Sequence, residues 1–126
     1  MNNLEPHRLA EAWIKYVQLP DHEAEASDLF SAFMQLDNLV SDQPEAAWPI
    51  IQQLWALDHT NSMLAIIAAG PVEDLLCRHG PEFIERIEQL ARQDPIVKKM
   101  LGAVWGRNRM PEDVWRRLKA VAGPDF

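Results

Sequence analysis

The chain has 126 residues, a net charge of −7, 48% hydrophobic residues and a single cysteine, Cys77. This length and apolar content fit one domain, residues 1–126, that folds without a metal or a disulfide, and they argue against a disordered chain. The polar N-terminus lacks the apolar stretch of a signal peptide, and no apolar run could cross a membrane. We therefore expect a cytoplasmic protein with no membrane partner.

Helix-forming residues dominate, and apolar residues recur at three- and four-residue spacing along the chain. No stretch alternates with period two, and no Asn-Gly or Asp-Gly turn is present, so no sheet is expected. The pattern predicts an all-α fold, a compact irregular bundle of about seven to eight short helices arranged as helical hairpins.

Four helices are predicted in the first part of the chain, over residues 5–18, 27–40, 42–57 and 62–69. Ser27 and Asp42 are the N-cap candidates of the second and third helices, and Pro44 suits the first turn of the third. Pro49 is tolerable only if it still lies in that first turn. The fourth helix is short and almost wholly apolar, which predicts a central position.

Two Gly-Pro pairs, Gly70-Pro71 and Gly80-Pro81, punctuate the second part of the chain. Gly70 could end the fourth helix in a left-handed conformation, with Pro71 starting the fifth. Gly80 and Pro81 would end the fifth helix and start the sixth in the same way. Asp94 is a cap candidate, and the tail 123–126 is expected to fray. The predicted helices are 71–79, 81–93, 95–104 and 111–121, with a basic loop over 105–110.

Several segments carry a family resemblance. Residues 68–95 read AAGPVEDLLCRHGPEFIERIEQLARQDP, followed by LGAVW at 101–105 and PEDVW at 111–115; LAEAW at 9–13 and PEAAW at 44–48 precede them. Together they resemble an uncharacterised bacterial domain family of unknown function, which implies no activity and no catalytic residues. In size and acidity the chain is similar to small bacterial immunity proteins, which neutralise a toxin by binding it, and this likeness is an analogy of type.

Charge is unevenly distributed along the sequence. Residues 1–77 carry a net charge of −10 and residues 78–126 a net charge of +3, and no Lys or Arg lies between Lys15 and Arg78. The acidic part would repel a phosphate backbone and attract a basic protein surface. Ordinary solvated helix faces are the alternative reading. We expect a protein partner with a basic surface and no nucleic acid.

The predicted partner-binding residues come from the acidic part of the chain. They are Asp21, Glu23, Glu25, Asp28, Asp37, Asp42, Glu45, Trp48, Trp55 and Asp58. Trp48 and Trp55 lie seven residues apart on one side of a helix, where core packing is the first interpretation and either would be a natural anchor if exposed. Asp37 falls between Phe30 and Phe33 on the helical projection. That position predicts a carboxylate on the apolar side, held by a structural partner or serving as an anchor in a recognition groove.

Other titratable groups have structural interpretations. Glu73 and Asp74 suit the positive end of a helix, or one of them binds an arginine of the basic part, such as Arg86 or Arg92. Cys77 and His79 lie about 200° apart on a helix and do not form a nucleophile–base pair.

The basic cluster near Trp105 and Trp115 is interpreted as a solvated, internally paired face, with nucleic-acid contact as the alternative. Its members are Arg107, Arg109, Arg116, Arg117 and Lys119. The four histidines lack metal-ligand spacing, and no nucleotide-binding or hydrolase motif occurs. No metal and no cofactor are expected.

Three functional hypotheses follow. The first is a non-catalytic protein-binding module, most concretely an immunity- or antitoxin-like inhibitor that blocks a basic partner's cleft. The second is a small enzyme with an unrecognised carboxylate site around Asp37 or Glu73 and Asp74. The third is a structural or oligomerising subunit. The sequence leaves the partner's identity and the oligomeric state open.

Overall fold

A computed structural model describes residues 3–20, 23 and 27–126. The chain divides into two compact helical units, unit 1 within residues 1–58 and unit 2 within residues 59–126. The described residues contain no strand, so the predicted all-α class is confirmed. None of the helices in these ranges combines the length and the apolar character that a bilayer crossing requires. That the whole chain is one domain stays a prediction.

The described residues of unit 1 contain three helices that pack against one another in all three pairings: α1 (Pro6–Val17), α2 (Phe30–Asp42) and α3 (Pro44–Leu57). The side chain of Glu5 caps α1 by accepting from the N–H of Arg8 at 2.8 Å. Each helix contributes two or more side chains to the core, among them Leu9 and Trp13 of α1, Leu36 and Val40 of α2, and Ile51 and Leu54 of α3.

The ends of α2 differ from the prediction. The predicted cap Ser27 lies ahead of the helix, where its Oγ accepts from the N–H of Leu29 at 3.0 Å and closes a turn. Asp42 is the last residue of α2 and does not cap α3. Gln43 has a non-helical backbone and separates the two helices, with Pro44 in the first turn of α3 as predicted.

Pro49 lies beyond the first turn of α3, which corrects its predicted place. It has no N–H to donate to the carbonyl oxygen of Glu45, four residues earlier. Its ring is exposed, so the helix accommodates it on the outer side. The apolar positions Ile50, Ile51 and Leu54 remain on the buried side of the same helix.

Unit 2 is built around a long helix. Its elements are α4 (Asn61–Ile67), a π-helical turn (Ala68–Val72), α5 (Glu73–Gln93), α6 (Pro95–Leu101), a 3₁₀ turn (Arg107–Arg109) and α7 (Glu112–Val121). Both α6 and α7 pack against α5. Thr60 caps α4, and Asp94 caps α6 as predicted, by accepting from the N–H of Ile96 at 2.9 Å.

Gly70 does not end a helix. No residue described has a positive φ, and the backbone passes from α4 through the π turn into α5 without a break. The boundary predicted at Gly70 is therefore absent, and residues 61–93 are helical apart from a kink at His79. Besides the 3₁₀ turn, the described residues form six helices rather than seven to eight. The second Gly-Pro pair does interrupt α5: His79 has φ −136° and ψ 26°, and Pro81 cannot donate to the carbonyl of Cys77.

The tail is held, contrary to the expectation that it frays. The N–H of Gly123 donates to the carbonyl oxygen of Lys98 at 2.9 Å. Gly102 follows α6 directly, and a Cβ atom there would lie 2.2 Å from the carbonyl oxygen of Pro124. Glycine at 102 therefore lets the tail backbone approach the end of α6.

Alanine at Gly80 should destabilise the fold, whereas alanine at Gly70 should not. A Cβ atom at Gly80 would lie 2.9 Å from both Cγ atoms of Val114, a buried β-branched side chain with little rotational freedom. We expect Gly80→Ala to lower the free energy of unfolding by about 1–3 kcal/mol. A Cβ atom at Gly70 would meet nothing within 4 Å, so Gly70→Ala should be neutral or stabilise by about 0.5 kcal/mol. Urea unfolding measures both, and equal midpoints would contradict the packing argument.

Candidate functional site

The outer side of α2 carries two large apolar side chains in solvent. Phe30 is 42% exposed and Met34 is 37% exposed, and Asp37 is exposed one turn further along. Their spacing of four and three residues places the three side chains in one row along the helix. We call this row the α2 face. It joins an apolar contact surface to a carboxylate.

An aromatic cluster supports the α2 face from α1. The ring of Tyr16 lies 5.8 Å from the ring of Phe30 and 5.0 Å from that of Phe33, centroid to centroid. Trp13 stacks on Phe33 at 6.4 Å and is buried. The cluster therefore runs from the core of unit 1 to the surface, and it fixes the exposed ring of Phe30 at its outer end.

The burial of α2 corrects the interpretation of Asp37. The helix buries Ala32, Leu36 and Val40, a stripe at four-residue spacing. Phe30 lies about 120° and Asp37 about 100° from the centre of this stripe on the helical projection, so both face outward. The projected position of Asp37 between the two phenylalanines was right, but the phenylalanines do not define the buried direction.

The acidic residues of unit 1 lie mostly at the surface. Asp28, Asp37 and Asp42 are exposed, and within the described residues they form no ion pair with a lysine or arginine. Glu23 and Glu45 are also exposed, while Asp58 is half-buried. The predicted contact residues Asp21 and Glu25 lie outside the described residues. Asp28, Asp37 and Asp42 therefore contribute negative charge in the part of the sequence that lacks Lys and Arg.

Trp48 and Trp55 lie together on α3, as their spacing predicted. Their rings meet edge to face, with centroids 6.2 Å apart and planes at 69°. Trp55 is buried and Trp48 is half-buried. The pair therefore contributes mainly to the packing of unit 1, whereas Trp105 in unit 2 is 68% exposed.

In unit 2, Glu73 and Asp74 share one arginine. Nη1 of Arg109 donates to Glu73 at 2.8 Å, and Nη2 donates to Asp74 at 3.1 Å. Glu73 is buried and also accepts from the N–H of Trp105 at 3.2 Å. Pairing with an arginine of the basic part was predicted, and the partner is Arg109. These bonds hold residues 105–110 against the start of α5.

Cys77 lies near this cluster and is half-buried. Burial raises the pKa of its thiol, and the nearby Arg109 guanidinium opposes that rise. A raised pKa keeps the thiol protonated near neutral pH. Protonation disfavours nucleophilic chemistry, because the thiolate is the nucleophilic form.

A second buried carboxylate, Glu88, was not anticipated. Arg117 of α7 binds it through two hydrogen bonds, Nε to Oε2 at 2.9 Å and Nη2 to Oε1 at 2.5 Å. This hydrogen bonding lowers the pKa of the Glu88 carboxyl. Its position on the apolar stripe of α5, beside Ile84, Ile87 and Ala91, was the signal in the sequence.

A groove of about 290 Å³ opens at the surface of unit 2. It is lined by Gly102, Val104, Trp105, Arg107, Trp115, Lys119 and Asp125. The Nζ of Lys119 lies 5.3 Å from the centroid of the Trp115 ring. The groove therefore combines aromatic faces with cations and one carboxylate.

No group of three or more metal-ligating side chains comes together in the described part of the chain. A family model described as "Family of unknown function (DUF6869)" matches residues 19–125, and the chain belongs to this family. Searches of curated proteins and of solved structures gave no match. The resemblance noted in the sequence is thus confirmed.

The Glu88–Arg117 pair predicts a pH dependence of stability. Because the folded-state pKa of Glu88 lies below its ordinary value, the ionised pair stabilises the fold above about pH 4.3. That stabilisation is lost as the pH falls through the lowered folded-state pKa. Arg117→Gln should therefore unfold at lower urea than the unmodified chain at pH 7, and the difference should shrink under acid.

The neighbouring exposed arginine gives the matched control. Arg116→Gln removes the same charge from α7 and should leave the urea midpoint nearly unchanged. Equal urea midpoints for the two variants at pH 7 would contradict the predicted contribution of the ion pair. A difference between their midpoints that does not change with pH would contradict it as well.

Proposed function

We propose that this chain is a non-catalytic protein-binding module of the cytoplasm, an immunity- or antitoxin-like protein that neutralises a partner with a basic surface. One observation carries the proposal. The α2 face presents Phe30 and Met34 to solvent beside exposed carboxylates, in a stretch of sequence without Lys or Arg. Apolar anchors bordered by charge of one sign are what a complementary protein surface needs.

Phe30 and Met34 supply the anchoring part of the interface. Large apolar side chains that become buried between partners contribute most of the binding energy at a few positions. The contacts of Phe30 with Tyr16 and Phe33 hold its ring in place before binding. A ring that is already ordered loses little side-chain entropy on association. Met34 adds an adaptable contact one turn away.

The carboxylates supply attraction at longer range. Asp28 and Asp37 add negative charge beside the anchors, and Asp42 adds it at the end of α2. The two basic residues that precede them, Arg8 and Lys15, lie on α1. A negative surface of this kind accelerates encounter with a basic partner and sets the orientation of docking. The mechanism would be steric: the docked module covers the partner's basic cleft and excludes its substrate.

The alternatives have weaker support. The carboxylates of Glu73 and Asp74 both accept hydrogen bonds from Arg109, an arrangement suited to fixing a loop rather than to accepting a proton from a substrate. Two copies joined through the α2 face would bring Asp37 against like charge. A basic partner removes that repulsion and gives the carboxylates a counter-charge.

Removal of the anchors should abolish neutralisation. Co-expression of the chain with a toxic product of an adjoining gene should protect the host cell, and the double variant Phe30→Ala/Met34→Ala should not protect. With the purified gene product, we expect the double variant to raise Kd by about thirtyfold, equivalent to about 2 kcal/mol. Isothermal titration calorimetry measures the change.

Leu57 provides the matched control for this experiment. It is 44% exposed at the end of α3 and is not part of the α2 face, so Leu57→Ala should bind as the unmodified chain does. Loss of binding in both variants would indicate nonspecific apolar association. If no adjoining gene product binds or is neutralised, the inhibitor proposal is wrong.

Charge reversal at the α2 face should slow association. Asp37→Lys should lower the association rate constant by about threefold to tenfold at low salt and by less at high salt, because mobile ions screen exposed charges. Stopped-flow fluorescence measures the rate. The control Glu82→Lys reverses an exposed carboxylate of unit 2 and leaves the α2 face intact. An equal slowing by both variants would indicate an effect of net charge alone.

A further inference from the structure

We propose that the groove of unit 2 is a binding site for a small nucleotide, a purine mononucleotide with its base on the tryptophans and its phosphate on Arg107 and Lys119. The groove combines the three features that such a ligand requires: an aromatic face, cationic side chains and a hydrogen-bond acceptor. It lies within unit 2 and uses no residue of the α2 face, so it is independent of the protein-binding proposal.

Trp105 supplies the stacking surface. It is 68% exposed and lines the groove together with Trp115. An exposed indole ring is a large apolar surface that a planar base can cover, and base–aromatic stacking is favourable for every base. Purines offer the larger ring system, so we expect them to bind more tightly than pyrimidines.

The loop that carries Trp105 is held in place by hydrogen bonds and by close backbone packing. Its backbone N–H donates to Glu73, and Arg109, four residues on, bridges Glu73 and Asp74. The following residue, Gly106, approaches Glu73 so closely that a Cβ atom would lie 2.8 Å from its Cγ. The buried carboxylate therefore positions the loop before any ligand arrives, which lowers the entropic cost of binding.

Two cationic side chains line the groove and suit a phosphate. Arg107 belongs to the 3₁₀ turn, and Lys119 reaches from α7 across the ring of Trp115. Guanidinium and ammonium groups are the side chains that bind phosphate through charge-assisted hydrogen bonds. Arg109 and Arg117 are already engaged by carboxylates of unit 2, so the cationic lining of the groove is distinct from those structural arginines.

Asp125 favours a ligand that carries a purine base over a ligand that is only an anion. Its carboxylate lines the same groove, and it would repel a ligand that is only negative. A purine carries N–H donors on its edge that a carboxylate can accept, as well as a phosphate at its other end. The tail is brought to the groove by the bond from Gly123 to Lys98 and by the close approach of Pro124 to Gly102.

The size of the groove and the net charge of the chain favour a mononucleotide over a nucleic acid. A groove of about 290 Å³ lies at the small end of ligand sites. The net charge of −7 opposes a polyanion, whose affinity depends on many phosphate contacts. Two lining cations match one phosphate group.

Isothermal titration calorimetry of the full chain with AMP, GMP, CMP and UMP tests the proposal. We expect saturable binding of one nucleotide per chain, with the purines tighter. Trp105→Ala and Lys119→Ala should each weaken AMP binding by about tenfold. Arg116→Ala removes an exposed arginine of α7 that does not line the groove and should change the affinity by less than about twofold.

Titrations with further ligands distinguish a nucleotide site from a simple anion site and from a nucleic-acid site. Ribose 5-phosphate and inorganic phosphate should bind more weakly than AMP, and equal binding would reduce the groove to an anion site and overturn the proposal. Tighter binding of a short oligoadenylate would assign the groove to nucleic acid instead. Absence of saturable nucleotide binding, or unchanged binding by Trp105→Ala, would also overturn it. Phe30→Ala should bind AMP normally, so failure here and failure of the protein-binding proposal are distinguishable.

Discussion

The buried carboxylate of Glu73 is the constraint on which much of unit 2 depends. A buried charge must be hydrogen-bonded and paired, or it destabilises the fold. Arg109 and the N–H of Trp105 satisfy it, and both come from the segment between α6 and α7. That segment has little regular structure of its own, so the carboxylate decides where it lies. The outward position of Trp105 follows, because its backbone is held while its side chain is left in solvent.

Unit 1 depends on a different constraint, the direction in which α2 is buried. The stripe of Ala32, Leu36 and Val40 contains one small and two medium side chains, which let α2 approach α1 and α3. The larger Phe30 is left at the edge of this contact and packs sideways on Tyr16. The same geometry that builds the core therefore leaves an aromatic ring and a carboxylate on the outer side of the helix.

Local signals in the sequence predicted much of the fold. Asp94 caps a helix and Pro44 begins one because each depends on neighbouring backbone atoms alone. Gly70 was predicted wrongly because a Gly-Pro pair can also pass through a π turn, and nothing local distinguishes the two conformations. The tail was predicted to fray because its bond to Lys98 joins distant parts of the chain.

Predictions about the candidate sites were limited in the same way. Periodicity placed Asp37 correctly relative to the phenylalanines, but the buried direction of α2 depends on which helices it meets. The spacing of Trp48 and Trp55 correctly placed them on one side of α3, but only the packing of α3 shows that Trp55 is buried and Trp48 half-buried. Arg109 could not be chosen over Arg86 or Arg92, since the choice depends on how residues 102–110 return to α5.

The basic cluster shows why composition alone misstates what a surface can bind. Five cations lie within residues 107–119, a density typical of nucleic-acid contact. Arg109 and Arg117 are committed to buried carboxylates and contribute little positive charge to an incoming ligand. The cations that line the groove are Arg107 and Lys119, and the Nζ of Lys119 lies over the ring of Trp115. Internal pairing thus leaves three of the five cations, Arg107, Arg116 and Lys119, without a buried carboxylate, and only Arg107 and Lys119 of these line the groove.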